Sequence, residues 1–516
     1  MAWLNRLRCG RSRNLSGSLS GSRSVVHPSK PIIAAAVTGL ILLAAGCGNQ
    51  YRPVVTPIYP TGPAGQPTAY IALFSQPGYT PLTSGTAACS GVTYSTPSVI
   101  TLVDFSGDSI VGQAEGGNGP LTFSLDSTGS NMYAPNCDGT LINAPAEPGS
   151  SLGTVGLLTK NVETSTLLPG SAPTNTLLST SSLYVAETGL HGPTCLVTNC
   201  VAQMTGSPEA LKQEIPVAPS LINFAGYTSA ERVYAISQGN SPSLLPSSTI
   251  APLQWGACAT PSSVTQTGEA DAIETSTNTI SARLPLGVCP VYGFMTPDTF
   301  RTFIMNRGSG TVTVINSQLN ALDTQFSPTS TIAVGAGPVY ADYYRLGQVL
   351  VTANYDSNTI SIINVSLDTY GNDSTSFGTV LATVPVGLHP VEVTVLQDGS
   401  RVYVADQGDI ASGTPGSVTV VNLSNYSVEE TIPLPAGFYP HAIASIYNYP
   451  IGKVYVVSQN SPYLEVISTD TDTITATPEM QGNIVDMRVT GQYPDQTTSG
   501  ASNYQIESRS VGSGAP

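Results

Sequence analysis

From residue 301 onward, short runs of alternating apolar and polar residues are separated by Gly, Pro, Asn and Asp. Arg401-Val-Tyr-Val-Ala-Asp406 is followed by Ser417-Val-Thr-Val-Val-Asn422 and by Val428-Glu-Glu-Thr-Ile-Pro-Leu434. After Gly437-Phe-Tyr-Pro440 comes His441-Ala-Ile-Ala444. A period of two in Val, Ile, Thr and Tyr predicts strands, because such side chains pack well on a pleated surface and alternate between its faces. The same order recurs in 348–354, 358–364, 380–386 and 387–395, and again in 453–458, 463–468 and 473–477. Each unit holds four strands, termed b, c, d and the a strand of the next unit, and recurs about every 50 residues.

The unit continues into the first half of the chain, with long insertions. Its b-strand anchor appears at Tyr70, Tyr133, Tyr184, Tyr234, Phe303, Leu350, Tyr403 and Tyr455. The turn before strand a is Gly-x-x-Pro at Gly117–Pro120, Gly170–Pro173, Gly287–Pro290, Gly335–Pro338, Gly387–Pro390 and Gly437–Pro440. A variant stands at Pro216–Pro219, and Gly482-Asn-Ile-Val485 has lost the Pro. Both counts give eight units; seven is the alternative if one weak unit lies outside.

One four-stranded unit leaves both faces uncovered, whereas radial stacking buries each face on the next. The first unit starts at strand b, Ala69-Tyr-Ile-Ala-Leu-Phe74, and lacks an a strand. The last run, Ile484-Val-Asp-Met-Arg-Val489, is an a strand without a unit. The expectation is an all-β propeller of eight four-stranded blades over 69–490, in which the C-terminal strand completes the N-terminal blade. Residues 491–516, rich in Gly, Ser, Gln and Thr, are expected to form a flexible tail.

The motif Val402-Tyr-Val-Ala-Asp406 with Ser417-Val-Thr-Val-Val-Asn422 resembles the YVTN family of β-propeller repeats, which is related to lactonase-like and WD-type propellers. The resemblance is strong over 301–475 and weaker over 69–300. It implies the propeller fold. Through the lactonase-like relatives it also implies an alternative activity, hydrolysis of a small cyclic ester by acidic, Arg and His groups at the channel mouth.

Composition adds a compartment. Residues 1–46 read as a lipoprotein signal peptide: a basic segment, then the apolar run Pro31–Gly46, then Cys47. That run of 16 residues is shorter than the roughly 20 a spanning helix needs. Leu43-Ala-Ala-Gly-Cys47 resembles the bacterial lipobox, which implies acylation of Cys47 and a membrane anchor. Residues 47–68 are a Pro- and Gly-rich tether. The expected location is the cell envelope, lipid-anchored, periplasmic or surface-facing; Gly48 in place of an inner-membrane Asp favours the outer membrane. Acids outnumber bases 33 to 18, and removing the six bases of 1–46 leaves a net charge of −21. Such a surface repels phosphate backbones, so no nucleic-acid partner is expected.

Six further cysteines remain: Cys89, Cys137, Cys195, Cys200, Cys258 and Cys289. An even count in an exported chain reads as disulfides. Because strands alternate in direction, the b–c and d–a connections share one face of the ring, and all six cysteines fall in them. The expected pairs are Cys195–Cys200, Cys89–Cys137 and Cys258–Cys289. No metal site is expected at Cys195-x4-Cys200, which lacks a Cys/His partner pair.

Catalytic signatures are absent from the sequence: no phosphate loop, no His-Glu-x-x-His, no Gly-x-Ser-x-Gly. No catalytic residue and no cofactor is assigned. Asp104 and Asp406, at strand ends, read as turn caps. His389 and His441, flanking the Pro of two successive turns, and Tyr439 beside them are candidate ligand contacts at the channel mouth. The function expected is non-catalytic binding of a glycan or protein at the cell envelope, since Tyr-rich loops offer area and a hydroxyl.

Overall fold

The computed structural model describes residues 69–491, apart from internal stretches of which 79–95, 137–150, 240–257 and 259–264 are the longest. The expected signal peptide, tether, Cys47, Cys89, Cys137 and the tail beyond 491 lie outside the described residues.

Eight antiparallel sheets form the blades of a β-propeller. Blade 7 shows the plan in regular form: strands a to d are Pro390–Val395, Arg401–Asp406, Ser417–Asn422 and Ser427–Pro433. Blade 8 repeats it with Pro440–Ser445, Lys453–Ser458, Glu465–Ser468 and Thr473–Ala476. Blade 6 comprises Pro338–Tyr344, Val349–Asn354, Thr359–Asn364 and Val380–Pro385. Blade 4 comprises Leu221–Ala225, Arg232–Ser237, Thr267–Glu274 and Thr279–Val288. Blade 3 comprises Pro173–Leu178, Leu183–Glu187, Cys200–Gly206 and Glu209–Pro216. Blade 2 comprises Ser124–Leu125, Asn131–Asn136, Ser151–Gly156 and Val162–Thr166.

Blade 5 departs from the plan. After Pro290–Met295, Arg301–Asn306 and Thr311–Asn316, its fourth strand is split into Ala321–Leu322 and Thr331–Ala333, which pair with opposite ends of strand c. The 3-10 turn Thr324–Phe326 separates them, and Phe326 packs on Phe377 of blade 6.

Blade 1 closes the ring. Its b, c and d strands are Ala69–Gln76, Val99–Asp104 and Ser109–Glu115, and its a strand is the C-terminal Asn483–Gly491. Ile71 lies opposite Val489 and Leu73 opposite Met487. The Ser75 hydroxyl donates to the Gln481 carbonyl at 3.2 Å, across 406 residues of sequence.

Burial falls off from the axis outward, which explains the residue choice in each strand. Strands a and b of blade 7 are buried almost throughout, c is buried at its centre and half-buried at its two ends, and d is mostly exposed, retaining one buried apolar residue, Ile432. The b-strand tyrosines Tyr184, Tyr234, Tyr403 and Tyr455 are fully buried. A buried phenol needs a hydrogen-bond partner, and each finds one in the c–d turn of the next blade. Tyr184 donates to Asn278 at 2.6 Å, Tyr403 to Asp472 at 2.6 Å, Tyr455 to Asp108 at 3.3 Å and Tyr234 to Asn320 at 3.5 Å. All four acceptors have positive φ, a conformation that Asn and Asp tolerate best among residues with a side chain. Arg401 and Lys453 add ion pairs to Asp472 and Asp108, at 2.9 and 2.7 Å. The same staple therefore holds blades 7 and 8 together and holds blade 8 to blade 1.

Candidate functional site

Strand b ends at the face that carries the b–c and d–a connections, and its last residue has a fixed structural task in the regular blades. Asn306 accepts the Gly287 N–H at 3.1 Å and donates to Thr311 and Thr313 of strand c, at 3.2 and 2.8 Å. Asn354 donates to Thr359 and Ser361, at 3.1 and 3.0 Å. Asp406 accepts from Ser417 and Thr419, at 3.1 and 2.6 Å. This explains the glycine at Gly287, Gly335 and Gly387, where a Cβ would press on the last b-strand residue, at Gly387 2.5 Å from the Asp406 carboxylate carbon, whereas Gly170 and Gly437 stand at φ 84° and 79°. Asp406 is thus a cap, and burial pushes its carboxyl up to about 7, against the pull of its hydroxyl donors.

Blades 3 and 4 replace this hydroxyl layer with charge. In blade 3 the last b residue is Glu187, and the two positions on strand c are Cys200 and Ala202, which offer it no hydroxyl. The d-strand position opposite Ala202 is Glu214, where blades 5, 6 and 7 carry Thr331, Thr383 and Thr431. In blade 4, Glu269 lies opposite Ser237 and Asp271 opposite Arg283.

Into the blade 3 layer the b–c connection sends His191. Its Nε2 lies 2.8 Å from Glu214 and 3.5 Å from Glu187, while Nδ1 lies 3.0 Å from the Gly189 carbonyl. All three side chains are at most 5% exposed, and neither carboxylate oxygen of Glu187 has a hydrogen-bond partner. Glu187, then burial opposing it, Gly189 and Glu214 set the imidazole, which is pushed up to about 9; burial holds the Glu187 carboxyl above its ordinary range. The loop is tied by the Cys195–Cys200 disulfide and by the His191 N–H donating to the Cys195 carbonyl at 3.1 Å.

Beside this layer a cleft of about 480 Å³ opens between blades 3 and 4. Pro216 and Pro219 line one wall; Gln266, Thr267, Glu269 and Arg283 line the other. Arg283 is half-exposed and pairs with Glu269 at 2.9 Å and with the buried Asp271 at 3.2 Å. Asp271 also accepts the Ala218 N–H at 2.6 Å, and burial pushes its carboxyl up to about 6.

The residues singled out from sequence are placed differently from one another. Cys258–Cys289 bridges the b–c connection of blade 4 to the turn before blade 5, and together with Cys195–Cys200 forms two of the three expected pairs. His389 precedes Pro390 at φ 56°, stacks on Tyr355 at 4.5 Å and bonds the Gly408 carbonyl at 2.8 Å. Tyr355 in turn lies under Arg307, which bonds Asp356 and the Cys258 carbonyl. His389 therefore belongs to a ladder of stacked and charged groups across blades 4 to 7. His441 follows its proline and is turned inward: it is 3% exposed and bonds the Val485 carbonyl at 2.9 Å. Burial, reinforced by Arg488, pushes it down to about 3. Tyr439 is half-buried, its N–H donating to Ser458 at 3.2 Å.

Along the a strands, Asp486 and Arg488 pair at 2.6 Å, and Thr122 donates to Asp486 at 2.6 Å. Glu392 accepts the Ile443 N–H at 3.3 Å, Asp342 accepts the Val395 N–H at 2.9 Å, and Tyr292 stacks on Tyr340. Ionisable groups do converge on the channel, but each of these is buried and spent on holding one blade to the next.

No protein-family model and no curated protein sequence matches the chain. Solved structures with similar folds include AztD from Citrobacter koseri in its apo form, at 11% identity and TM-score 0.49, covering 82% of this chain and 98% of that one. The dihydro-heme d1 dehydrogenase NirN in complex with DHE matches at 12% identity and TM-score 0.49, covering 81% and 80%. A candidate 6-phosphogluconolactonase from Bacteroides fragilis matches at 12% identity and TM-score 0.46, covering 83% and 99%. None transfers a function to this chain, and the eight blades rest on the strand pairing itself.

Proposed function

We propose that the protein is a non-catalytic binding lipoprotein of the bacterial cell envelope, built on a YVTN-type propeller and anchored through acylated Cys47. The cleft between blades 3 and 4 is its ligand face. The observation that carries this reading is the contrast between an open cleft with a half-exposed Arg283 and a channel whose ionisable groups are buried and paired. Proline walls with Gln, Glu and Arg at the rim suit a polyhydroxyl ligand, which takes hydrogen bonds from fixed polar groups and packs its ring faces on apolar ones. The class favoured is an envelope glycan.

The test is binding of a panel of envelope glycans to the full chain, measured by thermal shift and titration. Thr267→Trp fills the cleft from an exposed position, and Arg283→Ala removes its cation; each should weaken a bound glycan by about tenfold or more. Turnover of a panel of small lactones by the same protein, or glycan binding unaffected by both variants, would overturn the reading. Metabolic labelling with a fatty acid that persists in Cys47→Ser would refute the anchor.

A further inference from the structure

We infer that Glu187, His191 and Glu214 form a binding site for a divalent transition metal, Zn2+ foremost. One ligand atom from each, together with Cys195 Sγ, lies within 4.8 Å of the others, and among the described residues no other group of three such side chains meets this way. The Cys195 sulfur is bonded to Cys200 and so offers no thiolate. The donor set is one imidazole nitrogen and two carboxylates.

Three observations separate this group from an ordinary buried ion pair. First, both Glu187 oxygens are buried without a hydrogen-bond partner, although the carboxylate is aimed at His191. A buried carboxylate without donors is costly, and such groups pair or coordinate metals. Second, the blade repeat gives the comparison within the molecule itself. At the equivalent positions the regular blades satisfy Asn306, Asn354 and Asp406 with c-strand hydroxyls and place a threonine on strand d. Blade 3 has lost both hydroxyls and gained a second carboxylate. Third, Nδ1 sits 3.0 Å from the Gly189 carbonyl, which fixes the ring so that Nε2 faces both glutamates. That is how a metal-binding histidine is oriented by its other nitrogen. The disulfide holds the loop in place without a metal. One nitrogen and two oxygens match the donor set of a three-ligand zinc centre; imidazole favours Zn2+ over Ca2+, and the late position of Zn2+ in the affinity order favours it over Mn2+.

The test is calorimetric titration of the chelator-stripped full chain, disulfides intact, with Zn2+, Mn2+ and Ca2+. One Zn2+ per chain is expected, with weaker Mn2+ and no Ca2+ uptake, and a thermal midpoint raised by Zn2+ and restored by chelator. His191→Gln should weaken Zn2+ binding at least about 100-fold. Glu187→Asn copies the residue of blades 5 and 6 and should match the parent's circular dichroism in chelator while losing the metal. If that variant fails to fold, His191→Gln decides alone. Absence of stoichiometric Zn2+ uptake, or uptake that His191→Gln leaves unchanged, overturns the inference.

Discussion

Blade 3 and blade 7 carry the same strands in the same order, yet use the end of strand b in opposite ways. In blade 7 Asp406 accepts two hydroxyls and packs against the Gly387 turn. In blade 3 Glu187 occupies that position with no hydroxyl to meet it and turns toward a histidine from an inserted loop. The lesson is that the repeat fixes where a polar group must stand, and the c-strand partners decide whether it serves the fold or is released for other use.

The largest test of this contrast between regular and irregular halves is at their joint. Removing residues 483–491 takes strand a from blade 1 and exposes Ile71 and Leu73. Cooperative unfolding should be lost, or the melting midpoint lowered by more than about 10 °C, in differential scanning calorimetry. If the midpoint holds, the regular blades are stable without closure.

The disulfides come next. Cys258–Cys289 closes a separation of 31 residues and Cys195–Cys200 one of 5. If loop closure in the unfolded chain dominates, replacing the first pair by serine costs about 4 kcal/mol and the second about 2 in chemical denaturation. Equal losses would mean that strain or packing, rather than chain length, sets the difference.

Asp406→Asn should stabilise, because it installs the residue of blades 5 and 6. The Asp406 carboxyl is raised in the fold from 3.8 to about 7. Below pH 3.8 both folded and unfolded chains hold the proton, and no penalty exists. As pH rises to about 7 the unfolded chain releases it first, so stability falls, and above that the penalty is complete. The variant should gain about 1–3 kcal/mol at pH 8 and nothing at pH 3.5. A gain independent of pH would rule out this cause.

The smallest effect is expected at the staples. Tyr403→Phe and Tyr455→Phe each remove one hydrogen bond and should cost about 1 kcal/mol. A much larger cost for Tyr455 would show that the closure joint is weaker than the joint between blades 7 and 8.

Much of the fold was legible in the sequence because it rests on local rules. Period-two runs mark strands, and Gly-x-x-Pro marks the approach of a turn to the end of strand b, so eight blades and the closing strand could be counted. The split strand of blade 5 was not legible, since Ala321–Leu322 and Thr331–Ala333 are too short to carry a period. His389 and His441 looked alike beside their prolines, but His389 stands one residue before its proline, in the turn, and His441 one residue after, inside the ring. The Glu187–His191–Glu214 group escaped notice because its members come from a strand end, an insertion and strand d. The signal that would have found it is an alignment of the repeats, in which Glu187, Ala202 and Glu214 all break the pattern together.

The closing strand also sets an order of events. Ala69–Gln76 is the first strand of the propeller to be synthesised, and its partner Asn483–Gly491 is the last. Contacts so distant in sequence form slowly, because the whole intervening chain must be organised before the two ends meet. Until then blade 1 presents the bonding edge of Ile71 and Leu73, an invitation to pair with another chain. The protein thus remains vulnerable to misassembly for as long as it takes to be completed, and a factor that shields that edge would act on the earliest blade while waiting for the last.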